Sequence, residues 1–173
     1  TLQRIYMAPR VSANQTTWYY IDCSNSDQVD GTANIVEYSS VPDIGSQPVT
    51  AGYYGAVYHA GVDRVYFGPF GQINETYWHY LVPSTNQITS YPKASGTWSA
   101  NDLYGLEYDP VNEYVFFIHS AKSGNTNWLY INQLGDLDTY PRGISNPGSA
   151  FFAAYSPIDK RIYCATGGTN AGG

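Results

Sequence analysis

Apolar and polar positions alternate along this chain in short runs, and no stretch of helical length repeats its apolar residues with a period near 3.6. Tyr54-Gly55-Ala56-Val57-Tyr58 and Arg64-Val65-Tyr66-Phe67 flank the turn-rich link Ala60-Gly61-Val62-Asp63. Further on, Tyr77-Trp78-His79-Tyr80-Leu81-Val82 is followed by Pro83-Ser84-Thr85-Asn86 and then by Gln87-Ile88-Thr89-Ser90-Tyr91. A period of two, punctuated by Gly, Pro and Asn, predicts strands near residues 54–59, 64–68, 77–82 and 87–91 and almost no helix.

The same pattern recurs along the chain. Arg4-Ile5-Tyr6-Met7-Ala8-Pro9 returns sixty residues later as Arg64-Val65-Tyr66-Phe67-Gly68-Pro69. At the same offset, Asn14-Gln15-Thr16-Thr17-Trp18-Tyr19-Tyr20 returns as Asn74-Glu75-Thr76-Tyr77-Trp78-His79-Tyr80. A step of fifty carries Tyr54-Gly55 onto Tyr104-Gly105, Val65-Tyr66-Phe67 onto Val115-Phe116-Phe117, and Trp78-His79-Tyr80 onto Trp128-Leu129-Tyr130. A last, partial copy runs from Ala154 through Arg161-Ile162-Tyr163-Cys164. Tandem four-stranded units of roughly 40 to 50 residues are the signature of propeller blades.

The expected fold is therefore all-β, a β-propeller-like tandem repeat of four-stranded antiparallel blades. The units lie at about 1–42, 51–92, 101–141 and 150–173 within a single domain spanning 1–173. The first unit lacks its opening strand and the last has only its first two. The count is then about three and a half blades, which reads first as part of a longer propeller, with chains completing one another's blades or another stacking of the β units as the alternatives. Arg4, Tyr6, Trp18, Tyr20, Arg64 and Tyr66 belong to the repeat framework, as do Trp78, Tyr80, Trp128, Tyr130, Arg161 and Tyr163.

The phrase Asp63-Arg64-Val65-Tyr66-Phe67-Gly68-Pro69, followed by Trp78-His79-Tyr80 and the turn Ser84-Thr85-Asn86, resembles the kelch-like repeats of microbial, viral and phage surface propellers. The resemblance covers most of the chain but lacks the paired glycines that end the second strand in kelch repeats. It implies a blade architecture and a surface setting. It implies no single activity, because one fold hosts many functions.

Composition agrees with strands and turns: 18 Tyr, 4 Trp and 6 Phe accompany 17 Gly and 10 Pro. The net charge is -6 and lysine occurs only at 93, 122 and 160, so no basic stripe is present to neutralise phosphates and no nucleic-acid partner is expected. No apolar run approaches the ~20 residues a membrane span requires. Cys23 and Cys164 lack metal-site spacing, and a disulfide between them requires the two ends of the chain to meet.

Because a catalytic residue belongs to one unit while a framework residue recurs, slot occupancy tests candidate chemistry. His59, His79 and His119 each occupy slots with variable occupants, which reads as ordinary solvated surface. The carboxylates Asp63, Glu75, Glu107, Asp109, Glu113 and Asp159 are candidates for a glycosidase acid and base pair, but most fall in predicted turns, where Asp favours the bend. Ser95-Gly96-Thr97-Trp98 keeps only the end of a sialidase Asp-box, and Asp136-Leu137-Asp138 lacks the spacing of a calcium loop. No catalytic residue, metal site or cofactor is expected.

Two polar signals remain. The sequons Asn14-Gln15-Thr16 and Asn74-Glu75-Thr76 fall at the same place in their repeats and make Asn14 and Asn74 candidate N-glycan acceptors. Tyr19, Tyr53, Tyr54, Tyr77 and Tyr104 exceed what a core requires and suit a low-charge contact surface for proteins or sugars. The functional expectation is a non-enzymatic structural or interaction module on an extracellular, virion, phage-tail or filament surface. Its partners would be other protein subunits, through self-association or a larger assembly, and glycans. A carbohydrate-active enzyme is the alternative.

Overall fold

The computed structural model describes residues 3–8, 17–24, 34–39, 52–70, 77–92, 103–119, 127–141 and 150–166. Among these, thirteen strands form four separate antiparallel sheets in chain order. The first sheet has three strands, β1 (Arg4–Tyr6), β2 (Thr17–Asp22) and β3 (Asn34–Ser39). The second has four: β4 (Tyr53–His59), β5 (Arg64–Pro69), β6 (Tyr77–Val82) and β7 (Gln87–Pro92). The third repeats that order with β8 (Leu103–Asp109), β9 (Tyr114–His119), β10 (Asn127–Ile131) and β11 (Leu137–Pro141). The fourth is the pair β12 (Ala150–Ser156) and β13 (Arg161–Thr166). A single short 3-10 turn, Ala60–Val62, is the only helical feature described.

Each sheet is a sequential meander, so every strand pairs with its chain neighbour and no long crossover is needed. The opening strand of each of the last three sheets carries the same register shift, between Tyr53 and Ala56, Leu103 and Gly105, and Ala150 and Phe152. Such a bulge bends and twists the strand locally. In the first of these the bend includes Gly55 at φ 107, a backbone conformation that side chains disfavour.

The sheets bury their faces against one another in series. On β5, Val65 and Phe67 face the first sheet and join Trp18, Tyr20, Tyr53, Leu81 and Ile88 in one core. Tyr66, between them, faces the other way and joins Trp78, Tyr91, Leu103, Val115, Phe117, Leu129 and Ile131 in a second core. The period of two along a strand produces this division, because successive side chains point to opposite faces. β5 is consequently buried on both sides and reads as a nearly continuous apolar run. Each blade has a front face toward the preceding sheet and a back face toward the next. Buried aromatics such as Trp18, Trp78, Tyr66 and Phe117 dominate these interfaces, each removing about 150–250 Å² from water.

Candidate functional site

Two of the Arg-x-Tyr motifs build the same interblade latch. In the first blade the Arg4 guanidinium lies 4.4 Å from the Tyr20 ring centroid and donates to Asn86 Oδ1 at 2.9 Å, while Tyr6 Oη donates to the same oxygen at 3.4 Å. In the second, Arg64 lies 4.4 Å from the Tyr80 centroid, and Arg64 Nη1 and Tyr66 Oη donate to the Gly135 carbonyl at 3.4 and 3.3 Å. Each arginine thus stacks within its own blade and reaches into the turn before the last strand of the next. Asn86 (φ 54) and Gly135 (φ 85) hold the left-handed position of that turn. A side chain at Gly135 would collide with Arg64 Nη1. Burial raises the Tyr66 hydroxyl pKa, and the arginine opposes that shift.

The third and fourth blades depart from this pattern. Tyr114 occupies the arginine slot of the third blade and stacks on Tyr130 at 4.8 Å, with Phe116 beside both. In the fourth, Arg161 and Tyr163 are exposed, and Tyr163 Oη donates to Asp159 of its own turn.

The structure corrects the reading of the histidines. His59 and His79 are buried, not solvated. His59 Nε2 donates to the Asn132 carbonyl at 3.0 Å and its ring packs on Tyr66 and Tyr108, so it ties the second blade to the third. His79 Nδ1 meets Tyr53 Oη, and among the described residues its Nε2 has no partner. Burial lowers the pKa of His79 to about 4, so the ring is neutral at ordinary pH. Tyr53, expected on a contact surface, is instead in the core. Tyr77 is exposed and Tyr54 half-buried. Of His119 and Tyr104 only the backbone is described.

The carboxylates have local duties. Asp109 accepts from the backbone N–H groups of Val111 and Asn112 at 2.9 and 3.3 Å and from Asn112 Nδ2 at 2.7 Å, closing the turn between β8 and β9. Asp63 and Glu113 hold the left-handed position before β5 and β9 at φ 52 and 56, and Lys160 does so before β13 at φ 58. Glu107 lies within β8 rather than in a turn, and its Oε1 accepts the Tyr155 N–H at 2.9 Å, joining the third blade to the fourth. Burial raises its pKa, opposed by that hydrogen bond. Asp138 accepts from Tyr130 Oη, and no group of three metal-ligating side chains comes together among the described residues.

Cys23 and Cys164 are free cysteines, Cys23 exposed and Cys164 half-buried. The blades pack in series, so these residues sit on the first and last sheets, which share no core cluster. Asn14, Asn74, Glu75 and Ser95–Trp98 lie outside the described residues.

Where the fourth sheet meets the third, a cleft of about 270 Å³ is lined by Asp109, Phe116, Ile118, Trp128, Tyr140, Ile162 and Cys164. Phe116, Trp128 and Tyr140 occupy the slots of Tyr66, Trp78 and Tyr91. Tyr91 is 8% exposed beneath the third blade, whereas Tyr140 is 58% exposed. Among the described residues, β12 and β13 pack on the inner part of this back face, where Phe116 and Trp128 are half-buried.

No helix among the described residues is long and apolar enough to cross a membrane. No family model matches the chain. No curated protein matches it either. Two solved structures show the fold. A chain of a mitotic checkpoint complex structure matches with TM-score 0.53 at 11% identity over 93% of this chain and 42% of that one. A Bacteroides uniformis protein described as a candidate 6-phosphogluconolactonase matches with TM-score 0.51 at 15% identity over 94% of this chain and 47% of its own. The chain therefore spans less than half the length of either structure, and its blades are propeller-like.

Proposed function

We propose that this chain is a non-enzymatic interaction module with kelch-like blades, displayed on an extracellular, virion or filament surface, whose work is assembly with other proteins. The aromatic cleft carries this reading. Tyr140 is exposed and Phe116 and Trp128 are half-buried around it, in slots whose second-blade occupants Tyr91, Tyr66 and Trp78 are buried against the neighbouring blade. Tyr and Trp are enriched at protein contacts, where their apolar bodies bury well and their polar tips find partners. The hydrogen bonds of Asp109 to its own turn and of Glu107 to Tyr155 support a structural use of the carboxylates over the carbohydrate-active alternative.

A photo-crosslinking amino acid at position 140, in the chain expressed by the organism that encodes it, tests the reading. Irradiation should give adducts to protein. Adducts to glycan alone, or none above those formed from an exposed position outside the cleft such as 134, would overturn it.

A further inference from the structure

The interface between the first and second blades and the one between the second and third share a plan and differ in one pair of residues. In the first, the Trp18 ring packs on Phe67 with centroids 4.9 Å apart; in the second, Trp78 packs on Phe117 at 5.5 Å. Leu103 and Leu129 complete the second contact, and both are fully buried. Tyr53 and His79 hold those two slots in the first, at 1% and 3% exposed, with Tyr53 Oη against His79 Nδ1 and the Trp18 ring 5.7 Å from that of Tyr53. A titratable pair therefore stands where the neighbouring interface is purely aliphatic.

Among the described residues, nothing near His79 balances a charge on its ring. Around it are Trp18 and Tyr20 on β2, Tyr53 on β4 and Phe67 on β5, with Ser90 opposite on β7. Of the other titratable groups on these strands and on β1 and β3, Arg4, Asp22, His59 and Arg64 lie at the far ends and Glu37 is exposed. Burial alone acts on the titration of His79. Its Nε2 has no partner among the described residues, nor does Trp18 Nε1. A proton taken up here is a buried charge without a counterion, which costs more than bringing water to the ring. The side chain lies between two sheets, so parting them admits water while each keeps its own strand pairs. We infer that His79 and Tyr53 make the interface between the first and second blades an acid-operated hinge, closed while the ring is neutral and parting when it takes up a proton. At the far end of the same interface Arg4 donates to Asn86 Oδ1 at 2.9 Å, a pair that does not titrate in this range and serves as the pivot. Opening bares Trp18, Tyr53 and Phe67, an apolar contact surface present in acid and hidden at neutral pH.

The exchange of the Trp18 and Trp78 indole N–H groups with solvent, followed by NMR and referred to free tryptophan at each pH, reads the hinge. The two rings are 2% and 0% exposed at equivalent places in the two interfaces, so each is the other's control. With a pKa of about 4 when closed and about 6.5 when open, the ring should favour opening roughly 30-fold more at about pH 5 than at about pH 7.5. Protection of Trp18 should fall by that factor relative to Trp78. In His79→Leu, and in His79→Gln, which keeps an acceptor for Tyr53 but carries no charge, the ratio should not change with pH. If circular dichroism shows His79→Leu unfolded at about pH 7.5, His79→Gln alone decides. Equal loss of protection at both tryptophans would mean that acid unfolds the whole array and would overturn the inference. So would a Trp18 signal that ignores pH, or a fall that persists without the histidine.

Discussion

Acidification should weaken this fold through one residue, His79. Its ring is 3% exposed, touches Tyr53 Oη through Nδ1, and is held neutral by burial, with a pKa lowered to about 4. In the unfolded chain a histidine titrates near its ordinary value of about 6.5. Between these two values the unfolded chain takes up a proton that the folded one refuses. The stability contribution is therefore complete above pH 6.5 or so and is lost as the pH falls toward 4, amounting to about 3 kcal/mol. Leu129 fills the same slot in the third blade and is fully buried, so His79→Leu is a replacement the architecture already accommodates. Urea unfolding followed by circular dichroism, at about pH 7.5 and about pH 4, should show the wild type losing about 3 kcal/mol more than His79→Leu. Carboxylate titration is common to both proteins and cancels in the comparison. An equal loss in the two proteins would show that the ring is hydrated or already charged in the fold, and the reasoning would fail.

Two further substitutions probe the blade interfaces. Trp78→Ala empties a fully buried site and should cost about 3–5 kcal/mol in urea unfolding. Trp128→Ala, at the repeat-equivalent position in the open cleft, should cost well under half as much in the monomer, and equal costs would mean the cleft is closed in solution. Gly135→Ala places a methyl group against Arg64 Nη1 at φ 85 and should lower stability by about 1–3 kcal/mol, whereas a change within a few tenths would show that the latch is not formed.

Strand positions in the second blade were legible because Ala60-Gly61-Val62-Asp63 and Pro83-Ser84-Thr85-Asn86 bracket alternating runs whose period is set by the pleat itself. β4 to β7 begin and end within a residue of the expected bounds. Burial was less legible. Comparing occupants of the His79 slot suggested exposure, yet Leu129 in that slot is also buried, and the apolar occupant was the better guide. His59 was misread as solvated for a different reason: its partner, the Asn132 carbonyl, belongs to the next blade and leaves no side-chain signature. Asn86 and Gly135 were missed as latch acceptors because the turn of the third blade is one residue shorter, so a fixed offset of fifty misaligns them. Their signal was chemical: Asn and Gly are the residues that tolerate a left-handed turn position.

The latch has a consequence for how such an array can be inherited. Outside its own blade Arg4 bonds to Asn86 and Arg64 to the Gly135 carbonyl, so each arginine is matched to a segment one full blade downstream. A gene conversion or a designed graft that replaces the second sheet would keep its hydrogen-bonded strands intact and still sever two such matches, one on each side. The heritable module is therefore longer than the visible one. It runs from an arginine to the far turn it grips, overlapping its neighbours, so that blades can be lost or duplicated cleanly only at breakpoints that preserve the overlap.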